Sequence, residues 1–315
     1  MWDFDIGKTI GIMARTMPFI LIRMAVYFGI TIAYIVVTGA GAGLGYGIGH
    51  IGSDPSGFSI WGGVIGFGIV SGVVYWLREY ILYTVKAGHI AVIVEMLDNK
   101  PMPEGKSQFE HATETVKSRF AEMNVLFVLD QLIKGVIRAL TGIVDTVAWL
   151  LPIPGLQGIA KFIDTVIRLS LTYVDEIILG YNIRINSQNP WETSRQGLVL
   201  YAQNGKTMIK NAVWLSIFLW VLAIVVFILF LAPAGAIAYM FPGALSGWGI
   251  VIAIVFAWAF KAAVLEPFAI TALMDVYFRA IEGQQPKPEW DAKLASASRK
   301  FQELKDRALG GPATA

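Results

Sequence analysis

AVWLSIFLWVLAIVVFILFL, residues 212–231, is an apolar run broken by one serine and by no charge. A helix of about 20 such residues crosses the ~30 Å hydrocarbon core of a bilayer, whereas a soluble core seldom holds so long an uncharged stretch. Three further stretches meet the same measure: 18–39, 60–80 and 247–264. The whole chain agrees with this, since 315 residues with 56% hydrophobic and 15% charged side chains leave little polar surface to face water. The sequence therefore predicts an all-α, polytopic membrane protein whose principal partner is the lipid bilayer.

Charge orients the four spans. No Lys or Arg stands between Arg23 and Arg78, and none between Lys210 and Lys261, while the segments outside these windows hold all 25 basic residues. By the positive-inside bias the two short hairpin loops lie outside, and both termini and the long middle lie in the cytoplasm. The N-terminus carries Asp3 and Asp5 and no short apolar core with a cleavage site, so no removable signal peptide is expected. This pattern suits a bacterial or archaeal inner membrane. A net charge of +2 gives no ground for nucleic-acid binding, and the absence of Cys rules out disulfides and thiolate metal sites.

The chain also repeats itself. Pro101-Met-Pro-Glu104 followed by Lys117-Ser-Arg-Phe120 returns as Pro286-Lys-Pro-Glu289 followed by Ser298-Arg-Lys-Phe301. Each copy follows a pair of spans. Each pair is entered through an amphipathic stretch, 10–24 or 197–210, and its second span ends on Trp then a cation: Trp76 with Arg78, Trp258 with Lys261. Both copies enter from the same side, so the expected arrangement is a parallel repeat of two-span hairpins. The implied organisation is a first repeat (1–123), a central helical hairpin (124–190), a second repeat (191–309) and a disordered tail (310–315).

The first span ends in glycine at every second position from Gly39 to Gly49. As a regular expression this contains GxGxG, but a nucleotide fingerprint needs a strand before it and a helix after it, and this run closes a membrane span. On a helix, Gly39, Gly43 and Gly47 smooth one side while Gly41, Gly45 and Gly49 smooth the other. Gly62, Gly66, Gly68 and Gly72 supply matching grooves on the second span for small-xxx-small packing, within the chain or between copies. The alternative is a run that unwinds into an external loop with Asp54-Pro55-Ser56-Gly57 as its turn.

Two long apolar stretches of the centre, 123–151 and 158–183, carry charges at helical spacing. Asp130, Lys134, Arg138 and Asp145 share one stripe; Lys161, Asp164, Arg168 and Asp175 share another. Leu151-Pro-Ile-Pro-Gly155 joins them as a rigid turn. Such a hairpin either lies in the cytoplasmic interface with its charges toward water, or spans the bilayer with the stripes facing each other across a polar pathway. Two further amphipathic helices look cytoplasmic, with apolar edges Phe109, Val116, Phe120 and Met123 in one and Leu294, Phe301 and Leu304 in the other.

Signals of catalysis are thin. His50 and His89 have no convincing catalytic neighbours, and Glu110, His111 and Glu114, within one helical turn, read as a solvated face beside Lys106, Lys117 and Arg119 rather than as a metal site. No nucleophile elbow, phosphate loop or HExxH is present, so neither an enzyme nor a cofactor is expected.

Tyr173-Val-Asp-Glu-Ile-Ile-Leu-Gly-Tyr181, Asn189-Pro-Trp-Glu-Thr-Ser-Arg-Gln-Gly-Leu198, Phe127-Val-Leu-Asp-Gln-Leu132 and Leu273-Met-Asp-Val-Tyr-Phe278 resemble parts of the choline transporter-like membrane proteins. The resemblance covers less than a third of the chain, and that family has about ten spans rather than four. It implies transport of a small solute or lipid precursor, with Trp191, Tyr173 and Tyr181 as candidates to hold a quaternary ammonium. Two functions follow: a transporter or channel lined by the central charges, or a non-catalytic scaffold that forms a homo-oligomer or serves as a subunit of a membrane complex.

Overall fold

The computed structural model describes residues 2–77, 83–101, 105–119, 125, 128–139, 168, 170–186, 188–240, 254 and 256–310. Among these the chain is helical throughout, with no strand. α1 (Ile6–Arg15) starts where the Asp5 carboxylate accepts the Lys8 N–H at 2.9 Å, and it stops at Thr16, whose hydroxyl turns back onto the Ile12 carbonyl. After this one-residue joint (φ −96°, ψ 18°) the chain resumes as α2 (Met17–Gly49), with Pro18 in the first turn, where a missing N–H costs nothing. Ser53 at φ 66° turns the chain, and Asp54 caps α3 (Pro55–Leu77) by accepting the Gly57 N–H. The Asp54-Pro55-Ser56-Gly57 stretch is thus a turn and helix start, and the glycine run before it stays helical to Gly49.

α4 (Tyr83–Leu97) ends at Asn99 (φ 54°), just before Pro101, and α5 (Gln108–Arg119) follows. The stretch 128–139 is helical. α6 (Val174–Ile185) closes on left-handed Asn186; α7 (Pro190–Gln203) is capped by Asn189 and breaks for one residue at Asn204 (φ −100°, ψ 15°); α8 (Gly205–Met240) continues from there. A π-helical turn (Lys261–Leu265) passes into α9 (Glu266–Ala280). Gly283 (φ 69°) then reverses the chain into Pro286-Lys-Pro-Glu289, where Pro288 opens α10 (Pro288–Ala297), and Ser298 caps α11 (Arg299–Ala308). Residues 102–104 of the first copy of this motif lie outside the described residues, as do 120–124, the 151–155 turn, Arg78 and the 311–315 tail.

Among the described residues, four helices are long and apolar enough to cross a membrane: Met17–Gly49, Pro55–Val74, Gly205–Ala232 and Phe256–Ala280. Three overlap the expected spans at 18–39, 60–80 and 212–231, of which 78–80 lie outside the described residues. For the fourth, 247–253 lie outside the described residues, and the apolar helix runs on through the π turn to Ala280. Of its best window 61% is buried against protein, compared with 17–22% in the others. At ~1.5 Å per residue, the 33 residues of α2 extend about 50 Å, well beyond the hydrocarbon core.

By contacts the chain forms two compact units. The first comprises 1–16, 87–220 and 268–315; the second comprises 17–86 and 221–267. The first unit has a filled core built on Ile90, Ile93, Ile177, Leu200, Tyr277 and Phe301, each almost wholly buried. Its N-terminal arm is tied in by charge: Lys8 Nζ reaches the buried Asp275 at 2.7 Å, Arg279 pairs with the same carboxylate at 2.8 Å, and Asp3 pairs with Lys210 at 2.6 Å. Bonds from Lys210 and Asn211 hold the Asp3 carboxyl below its ordinary value. The Phe301 and Leu304 edge of α11, expected to pack within the protein or on a partner, is fully buried, and α11 lies on α7. In the second unit α2 and α3 pack along their length, and Tyr27 joins Ala259, Ala262 and Ala263 in a buried cluster edged by Trp258.

Candidate functional site

Glycine sets the geometry of the second unit. A Cβ placed on Gly41 would strike the Gly62 carbonyl oxygen, one on Gly45 the Phe58 oxygen and one on Gly66 the Val37 oxygen. Backbones approach this closely only where side chains are absent. Gly62 therefore packs on Gly41 and Gly45, Gly66 on Val37 and Thr38, and Gly49 on Asp54 and Pro55, all within the hairpin. Gly39, Gly43 and Gly47, with Gly68 and Gly72 of α3, have no atom within 4 Å of an added Cβ. The alternating glycines of α2 make two smooth faces, of which the fold uses one. Beside the seam runs a groove of about 750 Å³, with walls that include Leu44, Ile48, Trp61, Ile65 and Ile69.

At the other end of α2 lies a buried charge outside the central stripes. Arg23 is 4% exposed, although an arginine near a helix end ordinarily snorkels to the interface. Its Nη2 donates to the Ala262 carbonyl inside the π turn at 3.0 Å and stands 3.7 Å from Glu266. Its Nε is buried with no hydrogen-bond partner among the described residues. The signal in the sequence was Arg23 itself, the last cation before a long uncharged span.

Of the expected polar pathway, three members meet, all in the first unit. Lys134 Nζ is 2.7 Å from Asp130 and 3.8 Å from Asp175, so the two central stretches are joined through one ammonium between two largely buried carboxylates. Arg138 and Arg168 are exposed; Asp145, Lys161 and Asp164 lie outside the described residues. Leu129, Leu132, Ile133 and Val136 fill the apolar side of 128–139, and Gly135 allows Lys300 of α11 to pass against the backbone.

Three of the stretches on which the expected family resemblance rests, 173–181, 189–198 and 273–278, meet in the core of the first unit. Gly180 accommodates Met274, Gly197 accommodates Tyr181, and the Tyr277 hydroxyl donates to the Gly197 carbonyl at 3.0 Å. Tyr201, whose hydroxyl donates to the Ser170 carbonyl, packs on the same ring, and burial pushes its phenol above the ordinary value. Tyr181 is buried, Tyr173 is half-buried, and the Trp191 ring already carries the Arg307 guanidinium at 5.1 Å. Tyr181 and Trp191 thus each have a ring contact within the chain.

The histidines have structural partners. His89 shares a 3.0 Å hydrogen bond with Thr16 Oγ1 at the α1–α2 joint, and His111 pairs with Glu95 of α4 at 2.8 Å rather than with Glu114, which binds Lys106. No three His, Asp or Glu side chains among the described residues come together around an ion-sized space. A denser network joins α7 to α10 and α11: Arg195 binds Glu192 at 2.7 Å and also Asp291, which takes Lys305 at 2.7 Å. Burial works to raise the Asp291 carboxyl, but the bonds from Lys305 and Arg195 outweigh it and hold the group below its ordinary value; Arg195 does the same for Glu192. Comparison with protein-family models, with curated proteins and with solved structures finds no match to this chain.

Proposed function

We propose that the protein is a non-catalytic integral membrane scaffold of a bacterial or archaeal inner membrane, which associates with further copies of itself through the open glycine face of its first hairpin. The observation that carries this reading is the pairing of a used and an unused small-residue face on the same two helices. Gly41, Gly45, Gly62 and Gly66 are consumed in the α2–α3 seam, while Gly39, Gly43, Gly47, Gly68 and Gly72 front open space. In lipid, where apolar side chains gain little by meeting one another, such a face is a means of close helix contact. Charge asymmetry supports cytoplasmic termini.

A parallel repeat of two hairpins is part of the proposal. It is supported by the two one-residue joints, Thr16 and Asn204, whose backbone angles agree within a few degrees, each lying between an Asx-capped helix and a long apolar one. The left-handed residues Asn99 and Gly283 before the two proline motifs support it as well.

The test is native mass in mild detergent. Gly43→Leu and Gly68→Leu are expected to shift the protein to the monomer with its helix content unchanged; a variant that keeps the mass of the wild type counts against the scaffold. Transport is the second reading, favoured by the Asp130–Lys134–Asp175 cluster. It requires that neutralising Asp130 or Arg168 abolish flux in reconstituted vesicles while the fold survives.

A further inference from the structure

The Arg23 contact is explained by a proline. In the π turn the Glu266 N–H bonds five residues back, to the Lys261 carbonyl. The next bond of that series would run from residue 267 to the Ala262 carbonyl, but residue 267 is proline and has no N–H. That carbonyl is where Arg23 Nη2 donates, at 3.0 Å. In an ordinary α register the carbonyl robbed by Pro267 would be four residues back, on Ala263. The donor therefore matches the π register and not the α register. Ala262 and Ala263 are 2% and 0% exposed, so water cannot stand in for the missing donor. Glu266, at 3.7 Å, is beyond hydrogen-bond length and balances the charge without taking up the guanidinium.

We propose that Arg23 is a register lock: it supplies the N–H that Pro267 lacks and so holds residues 261–265 in the π turn. A π turn carries one residue more than the α register, and one residue is worth about 100° of helical rotation. The lock therefore fixes which way the helix faces at Glu266 and Pro267, where it leaves the π turn. Release of Arg23 removes what favours the π over the α register here, which makes the turn a conformational device.

The test is a double-mutant cycle on the full-length protein in detergent, read as the midpoint of thermal unfolding. Arg23→Met leaves the Ala262 carbonyl without a donor and is expected to lower the midpoint by roughly 5 °C. Pro267→Ala restores an N–H, and it is expected to raise the midpoint of the Arg23→Met protein by clearly more than that of the wild type. Glu266→Gln is expected to fall well short of the Arg23→Met loss. Equal effects of Pro267→Ala in the two backgrounds, no loss on Arg23→Met, or a Glu266→Gln loss as large as that of Arg23→Met would each overturn the lock; the last would assign Arg23 to the ion pair alone. Should Arg23→Met fail to accumulate, recovery of the double variant supports the lock and its failure refutes it.

Discussion

The α2–α3 hairpin and the α7–α10–α11 face hold together by opposite means. Along the hairpin, contact is made by leaving side chains out: glycine meets carbonyl oxygen, while Leu44, Trp61 and Ile65 point away and stay more than half exposed. On the other face, contact is made by filling space and pairing charge: Phe301 and Leu304 are wholly buried, and Arg195, Glu192, Asp291 and Lys305 form one network. The difference is the one expected of two solvents. Lipid tails are as apolar as leucine, so burying leucine there gains little and close backbone approach gains more; water rewards each buried apolar side chain and tolerates the charges that rim it.

The sharpest way to break the comparison is to put a side chain into the seam. Gly45→Leu must push α2 off the Phe58 carbonyl, so it is expected to cost more than about 3 kcal/mol, beyond the ordinary range for overpacking, because backbone and not a rotamer has to yield. Gly39→Leu, with open space around it, is expected to cost less than about 0.5 kcal/mol of monomer stability. Unfolding in a denaturing detergent titration measures both, and equal losses would mean that the two glycine faces are not distinct.

On the filled face the next largest effect comes from removing volume. Phe301→Ala is expected to cost about 3–5 kcal/mol, the usual toll for an aromatic lost from a closed core. Because α11 lies on α7, the loss is expected to show first as protease cleavage near Ser298, the joint between α10 and α11. A Phe301→Ala protein as resistant as the wild type would mean that α11 is held by its charges rather than by its apolar edge.

What could be read beforehand follows the same divide. Three spans were legible because length and charge are properties of a single segment. Both glycine stripes were legible too, but not which one turns inward, since periodicity says which residues share a face and not what that face meets. Of the charged stripes, Lys134 does find Asp130 and Asp175, yet within a packed core unit whose existence depends on long-range contacts. His111 turning to Glu95, and Arg23 to Ala262, are pairings between segments with no local mark.

The smallest expected effect separates the two regions by pH. Asp291, Glu192 and Glu303 are held below the ordinary carboxyl values of 3.8 and 4.5 by Lys305, Arg195 and Lys300. A depressed folded-state value means that the stabilisation is fully present above those ordinary values and is lost as pH falls through the lower, folded ones. Between Arg23 and Arg78 the hairpin carries one charged residue, Asp54, so its seam has almost nothing to titrate. Lowering the pH from 7 to 3 is thus expected to raise hydrogen exchange at the α10 and α11 amides several-fold, after correction for intrinsic rates, and to leave the amides of α2 from 37 to 49 unchanged. The network is partly exposed and screened by salt, so the change is expected to shrink at high ionic strength. If both regions loosen together in acid, charge pairing is not what distinguishes them, and the filled face must be held by Phe301 and its neighbours alone.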